Sequence, residues 1–135
     1  MKIAIRYYTK TGNTEKLANA ISEAINVEAK TIDTPLNEDV DILFLGSSVY
    51  KAGLDNKVKE FIKNINVNVG KVVNFSTAAI IESTYKQVQK EVEDKGFVMD
   101  SNEFHCRGSF KLVHRGHPDD KDLEDVKKFA KNIVN

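Results

Sequence analysis

Apolar and polar positions fall into blocks whose period switches between two and about 3.6 along the chain. Ile3-Ala4-Ile5-Arg6-Tyr7-Tyr8 is apolar on both faces apart from Arg6, which suits an inner strand covered on both sides. Leu17, Ala18, Ile21, Ala24 and Ile25 then recur at helical spacing, predicting an amphipathic helix from Glu15 to about Asn26. Val27–Ile32 alternates with Glu28 and Lys30 and reads as a more exposed strand, broken by Asp33-Thr34-Pro35. Asp41–Gly46 is the most buried-looking strand. Asp55 can cap a second helix whose inner face is Val58, Phe61, Ile62 and Ile65. Lys71–Thr77 is a fourth strand. Ser83 can cap a third helix that carries Tyr85, Val88 and Val92 inward and stops at Gly96. A less regular fifth strand is predicted from Phe97 to about Phe104, then an irregular basic connection over His105–His117. Pro118 and Asp119 open a last helix with Leu123, Val126, Phe129, Ala130 and Ile133 facing inward.

The order is β-α-β followed by β-α-β-α-β-α, with one unhelical link near residues 33–40. Such alternation predicts an α/β domain with an open, doubly wound parallel sheet in three layers and right-handed crossovers. At 135 residues one domain spanning 1–135 is expected, burying roughly two-thirds of its unfolded surface. Ligands of such sheets bind at the carboxyl ends of the strands, where strand order reverses. The loops after strands one, three and four would meet there.

The loop after the first strand carries the most specific chemistry. Thr9-Lys10-Thr11-Gly12-Asn13-Thr14 puts three hydroxyls and a glycine between a strand and a helix start. A helix start leaves backbone N–H groups without intrahelical partners, and its dipole favours negative charge. Gly12 lets the backbone approach a ligand and take positive φ. The pattern predicts a phosphate pocket. A hydroxyl-rich helix cap is the bland alternative, but three threonines around one glycine exceed what a cap requires. Neither the Gly-x-Gly-x-x-Gly nor the Gly-x-x-x-x-Gly-Lys-Ser/Thr fingerprint is present, which argues against dinucleotides and nucleoside triphosphates.

Charge and cysteine usage narrow the picture. Lys+Arg and Asp+Glu balance at 20 each, so no global field attracts nucleic acid or an anionic membrane. The sole cysteine, Cys106, excludes an internal disulfide framework. No apolar run approaches the roughly 20 residues of a membrane span, and the N-terminus lacks a basic region followed by an apolar one. A cytoplasmic protein is expected. His105, Cys106, His114 and His117 match no standard zinc spacing, so no metal site is assigned and their role is left open.

Five strands, the Thr-x-Thr-Gly-x-Thr loop and the Gly46-Ser47-Ser48 run after the third strand together resemble the flavodoxin family, in its short-chain form. The resemblance implies strand order 2-1-3-4-5 and flavin mononucleotide (FMN) as cofactor. Its phosphate would be held by Thr9, Lys10, Thr11, Gly12, Asn13 and Thr14. Its isoalloxazine ring would lie between Ser48, Val49, Tyr50 and Gly53 on one side and Ser76, Thr77 and Ala78 on the other. Tyr50 is the candidate for stacking on the ring. Gly53 is the candidate for a peptide that reorients when the flavin is reduced, because both orientations are sterically open to glycine.

Two departures stand out. Many short flavodoxins have an aromatic residue and an acidic stretch after strand four, where this chain has Ser76-Thr77-Ala78-Ala79-Ile80-Ile81. Many are also strongly acidic, whereas this chain is neutral and carries Lys51 near the expected ring. Acidic surroundings disfavour an anionic reduced flavin, so a less extreme potential is expected here. The resemblance implies an electron carrier that shuttles electrons between redox partner proteins (a reductase and an acceptor) and acts as a monomer, with no residue assigned as acid, base or nucleophile. The alternative is an FMN-dependent oxidoreductase acting on a small substrate, alone or with a partner subunit.

Overall fold

A computed structural model describes residues 1–49, 53–78, 83–107 and 116–135. Its strands are β1 (Ile3–Tyr7), β2 (Ala29–Thr31), β3 (Val40–Val49), β4 (Val69–Ala78) and β5 (Phe104–Arg107). Its helices are α1 (Asn13–Ile25), α2 (Asn56–Lys63), α3 (Tyr85–Asp94) and α4 (Asp120–Val134). The strands form one parallel sheet in the order β2-β1-β3-β4-β5, as the alternation and the resemblance predict.

The period-two pattern of the strands assigns each side chain to a layer. Ile5, Tyr7, Ile42, Phe44, Val73 and Phe75 point to one face, where Leu17 and Ile21 of α1 and Val126 and Ala130 of α4 cover them. Ala4, Leu43, Leu45 and Val72 point to the other, beneath Val58 and Ile62 of α2 and Val88 and Val92 of α3. Both faces are dry, so β3 and β4 read as nearly continuous apolar runs.

Helix ends follow the expected chemistry. The Asp55 side chain accepts the N–H of Lys57 at 2.8 Å and caps α2. At the end of α3, the N–H of Phe97 reaches the carbonyl of Val92 (3.0 Å) and that of Gly96 the carbonyl of Glu93 (2.9 Å), with Gly96 at φ +88°. This is a Schellman closure, which needs a left-handed residue at that position. The N-cap of α3 is Thr84 rather than Ser83, although the Ser83 hydroxyl does accept the Tyr85 N–H at 3.0 Å. Asp119 and Asp122 form a reciprocal capping box on α4.

The fifth strand departs from its predicted bounds. Residues 98–100 join the β4 backbone ladder at Val72, whose N–H bonds the Val98 carbonyl and whose carbonyl accepts from Asp100, both at 2.9 Å. The chain then turns. Asp100 accepts the Asn102 N–H at 2.8 Å and pairs with Lys71 at 2.8 Å. Pairing resumes at Phe104, so His105, Cys106 and Arg107 are strand rather than connection. An aspartate that finds a backbone N–H two residues on competes with the ladder, and here it wins.

Arg6, the one charge in β1, has a structural explanation. It is buried, and its guanidinium donates to the carbonyls of Thr34 (2.8 Å), Pro35 (3.4 Å) and Ile5 (3.0 Å). Burial lowers its pKa, opposed by Glu28. The side chain fastens the unhelical link between β2 and β3 and supplies the donors that its carbonyls need.

Gly46 in β3 sets how closely α1 meets the sheet. A Cβ there would overlap the Phe75 ring and lie 2.9 Å from Cγ2 of Thr14. Overpacking of this kind costs about 1–3 kcal/mol. Gly46→Ala should therefore lower the urea-unfolding free energy by about that amount, measured on the protein without added ligand.

Candidate functional site: the mouth of α1 at the carboxyl edge of the sheet

The carboxyl ends of β1, β3 and β4 lie side by side. Gly46 of β3 pairs with Tyr7 of β1, and Ser47, Ser48 and Val49 pair with Ser76, Thr77 and Ala78 of β4. The loop 8–12 leaves this edge and enters α1. Gly12, the N-cap, has φ +88°, in the left-handed region. Nothing lies within 4 Å of the place a Cβ would take on it, so the glycine is required by backbone conformation and faces open space.

The loop organises itself through its own hydroxyls. Thr9 Oγ1 accepts the Gly12 N–H at 2.8 Å, and Thr11 Oγ1 accepts from the Asn13 carboxamide at 2.9 Å. The helical ladder of α1 is joined by the Lys16 N–H, which bonds the Gly12 carbonyl at 3.2 Å. The N–H groups of Thr14 and Glu15 precede that bond and stand at the positive end of the helix dipole. Lys10 and Thr11 are exposed and Thr9 is half-buried, so a ligand can reach them.

Thr14 has a different part. It is fully buried, and its hydroxyl lies 3.2 Å from the Ser47 carbonyl and 3.0 Å from Thr77 Oγ1. Its side chain therefore fastens the helix mouth to the two central strands, and its backbone is what it offers an anion. Ser76 and Thr77 are likewise buried. On the opposite face, Thr84 Oγ1 accepts from Ser47 Oγ (2.9 Å) and from the Asn74 carboxamide (3.1 Å), while its N–H points to Ser76 Oγ at 3.4 Å. Two threonine-centred clusters thus pin the start of α1 and the start of α3 to the same strand ends.

Of the residues expected at the ring, Ser48 and Ala78 are buried within β3 and β4, and Val49 ends β3 beside Ala78. Gly53 has φ +84° and stands against Gln87 of α3. Tyr50, Lys51, Ala79 and Ile80 lie outside the described residues, as do Ile81 and His114. Sequence reasoning missed Ser47, Asn74, Thr84 and Gln87. A signal existed for Asn74, since a carboxamide between Val73 and Phe75 in a doubly covered strand must find partners.

Electrostatics at the mouth are mixed. The Asp55 carboxylate lies 3.5 Å from the Lys10 ammonium. The Lys57 N–H holds its pKa below the usual carboxylate range; partial desolvation opposes this, and Lys10 and Tyr8 assist. Tyr7 donates to Glu15 at 2.7 Å, and its pKa is raised to about 12 by burial and by that carboxylate. Elsewhere, His105 contacts Glu103, and His117 Nδ1 lies 2.8 Å from Asp122 beside the α4 capping box. Burial, with Asp122 and Asp119 nearby, pushes the Cys106 thiol up to about 12.

Two outcomes follow from this chemistry. Asp55→Asn keeps a capping oxygen but releases Lys10 from its ion pair, so inorganic phosphate should bind about twofold to fivefold more tightly in an equilibrium titration. Cys106 carries almost no thiolate at pH 8, so its alkylation by iodoacetamide should be at least about 100-fold slower in the folded protein than in urea.

Comparison with known proteins gives these features a family. The sequence model of the flavodoxin domain matches residues 4–114. The uncharacterized protein MJ0298 of Methanocaldococcus jannaschii is 30% identical, with 90% of each chain covered. The flavodoxin-like domain-containing protein BilS of Clostridioides difficile is 26% identical, covering 99% of this chain and 97% of that protein. Among solved structures, a flavodoxin from the domain Archaea superposes with a TM-score of 0.80 over 99% of this chain and 96% of its own, at 17% identity. Since the domain model spans most of the sequence and a relative reaches 30% identity over nine-tenths of both chains, the chain belongs to the flavodoxin family.

Proposed function

We propose that this protein binds FMN and carries electrons between redox partner proteins. The observation that carries the reading is the open, left-handed Gly12 at the mouth of α1, beside the carboxyl ends of β1, β3 and β4. The donor set fits a phosphate monoester: backbone N–H groups at a helix start, the hydroxyls of Thr9 and Thr11, and the Lys10 ammonium. Family membership supports a flavin as the group attached to that phosphate. When bound, FMN supplies one- and two-electron redox chemistry, and the protein supplies binding, orientation and electrostatics.

Each residue then has a task. Gly12, Asn13 and the backbone of Thr14 receive the phosphate, and Lys10 offsets its charge. Val49 and Gly53 border the ring on the β3 side, with Ala78 on the β4 side above the buried floor of Thr77 and Ser76. Tyr50 is the proposed stacking residue. A neutral chain with no acidic stretch after β4 presses less against a reduced, negatively charged flavin, which supports a potential less extreme than that of acidic relatives. The carrier works in the cytoplasm as a monomer; among the described residues, no helix is long and apolar enough to cross a membrane.

The test is a titration of FMN with apoprotein, followed by stepwise reduction. Flavin fluorescence should be quenched with a 1:1 end point, and reduction should proceed through two resolved one-electron steps. Unquenched fluorescence at excess protein would end the reading. Oxidation of a reduced pyridine nucleotide by the purified protein, without a partner reductase, would instead favour an FMN-dependent oxidoreductase.

A further inference from the structure

The first turn of α3 lies against Gly53. Gln87, at the third position of that helix, packs directly on Gly53. A Cβ on Gly53 would lie 3.4 Å from Gln87 Nε2 and 3.8 Å from both Cδ and Oε1. Gln87 Oε1 is sealed from solvent and has no hydrogen-bond partner. Among the described residues, it is the sole buried side-chain oxygen or nitrogen in that condition.

The contrast with its surroundings is sharp. One turn away, Thr84 exchanges hydrogen bonds with Ser47, Asn74 and Ser76, all fully buried. The same helix start therefore pairs Thr84 on the side that faces the sheet and leaves the Gln87 acceptor open on the side that faces Gly53. An unsatisfied buried acceptor is costly, and such groups persist where something else completes them. Gly53 provides the means. At φ +84° it carries no Cβ penalty, so the peptides flanking it can turn to present either an N–H or a carbonyl to Gln87. The next residue, Leu54, is buried, which holds the exit of the turn in place and confines the adjustment to peptide rotation.

We propose that Gln87 is a positioning residue of the cofactor site: its Oε1 accepts a backbone N–H of the Gly53 turn when FMN is bound, fixing that turn against the ring side. The proposal rests on the FMN reading above. It makes the ligand-free protein the state with the unmade hydrogen bond. Binding the ring side of the cofactor makes that bond, whereas binding a phosphate at the Gly12 loop does not.

The test uses the full chain with Gln87→Met, which keeps the length of the side chain and removes its acceptor. Three quantities are read: the urea midpoint of the apoprotein, the Kd for FMN and the Kd for inorganic phosphate. The midpoint should stay the same or rise, because the orphan oxygen is gone. FMN affinity should fall about tenfold, the loss expected for one hydrogen bond to a buried acceptor. Phosphate affinity should stay within about twofold. A lower apoprotein midpoint would mean that Oε1 is already satisfied without ligand and would overturn the proposal. Unchanged FMN affinity, or FMN and phosphate affinities falling together, would overturn it equally. Failure of the unmutated protein to quench FMN would refute the cofactor reading itself, and that result is visible before any variant is made.

Discussion

The hydroxyl of Thr14, lodged between the Ser47 carbonyl and Thr77, joins the start of α1 to the two central strands. That contact is possible because Gly46 has no side chain, so Phe75 and Thr14 close over it. The arrangement decides where the positive end of the α1 dipole points and how near it comes to the strand ends. Without it, the hydroxyl-rich loop would still be a helix cap, but it would not be aimed at the edge where the loops after β3 and β4 emerge. The same strand ends hold the start of α3 through Thr84, Ser47 and Asn74. Both clusters are fully buried, where a satisfied hydroxyl network is rigid and a broken one is costly.

This division separates residues that hold the scaffold from residues that the proposal assigns to the ligand. Thr14, Ser47, Asn74, Ser76, Thr77 and Thr84 are committed to one another. Thr9, Lys10, Thr11 and Gly12 lie above them, at the surface. The proposed phosphate end is therefore already held by the loop's own hydrogen bonds in this structure. The proposed ring end differs: Gly53 is in the left-handed region, and the acceptor behind it is unmet. For the proposed carrier this asymmetry would be useful, since a rigid grip on the tail would retain the cofactor while an adjustable turn at the ring could respond to its charge.

Much of this was legible in the sequence, and the reasons are physical. Strands and helices buried on one or both faces leave a periodic apolar record, so β1, β3, β4 and the four helices were found with small errors at their ends. Strand order and cofactor class came from the resemblance carried by Thr9–Thr14 and Gly46-Ser47-Ser48, and they agree with the sheet and with family membership. The fifth strand was misplaced because its apolar signal, Phe97-Val98-Met99, belongs to a brief contact that Asp100 interrupts, while the paired stretch Phe104–Arg107 carries a histidine, a cysteine and an arginine. Arg6 could be recognised as an anomaly but not explained, since its partners are backbone carbonyls of residues 34 and 35 that no sequence pattern marks. Gln87 was invisible for the same reason: its significance lies in what it lacks and in a glycine 34 positions earlier.

The central claim is that the mouth of α1 selects its ligand through a phosphate. The direct measurement is the affinity of the apoprotein for FMN and for riboflavin, its phosphate-free counterpart, by isothermal titration calorimetry at one ionic strength. A phosphate held by helix-start N–H groups, two hydroxyls and a lysine should make FMN bind at least about 100-fold more tightly, the combined effect of several charge-assisted hydrogen bonds. Equal affinities for the two flavins would contradict the account.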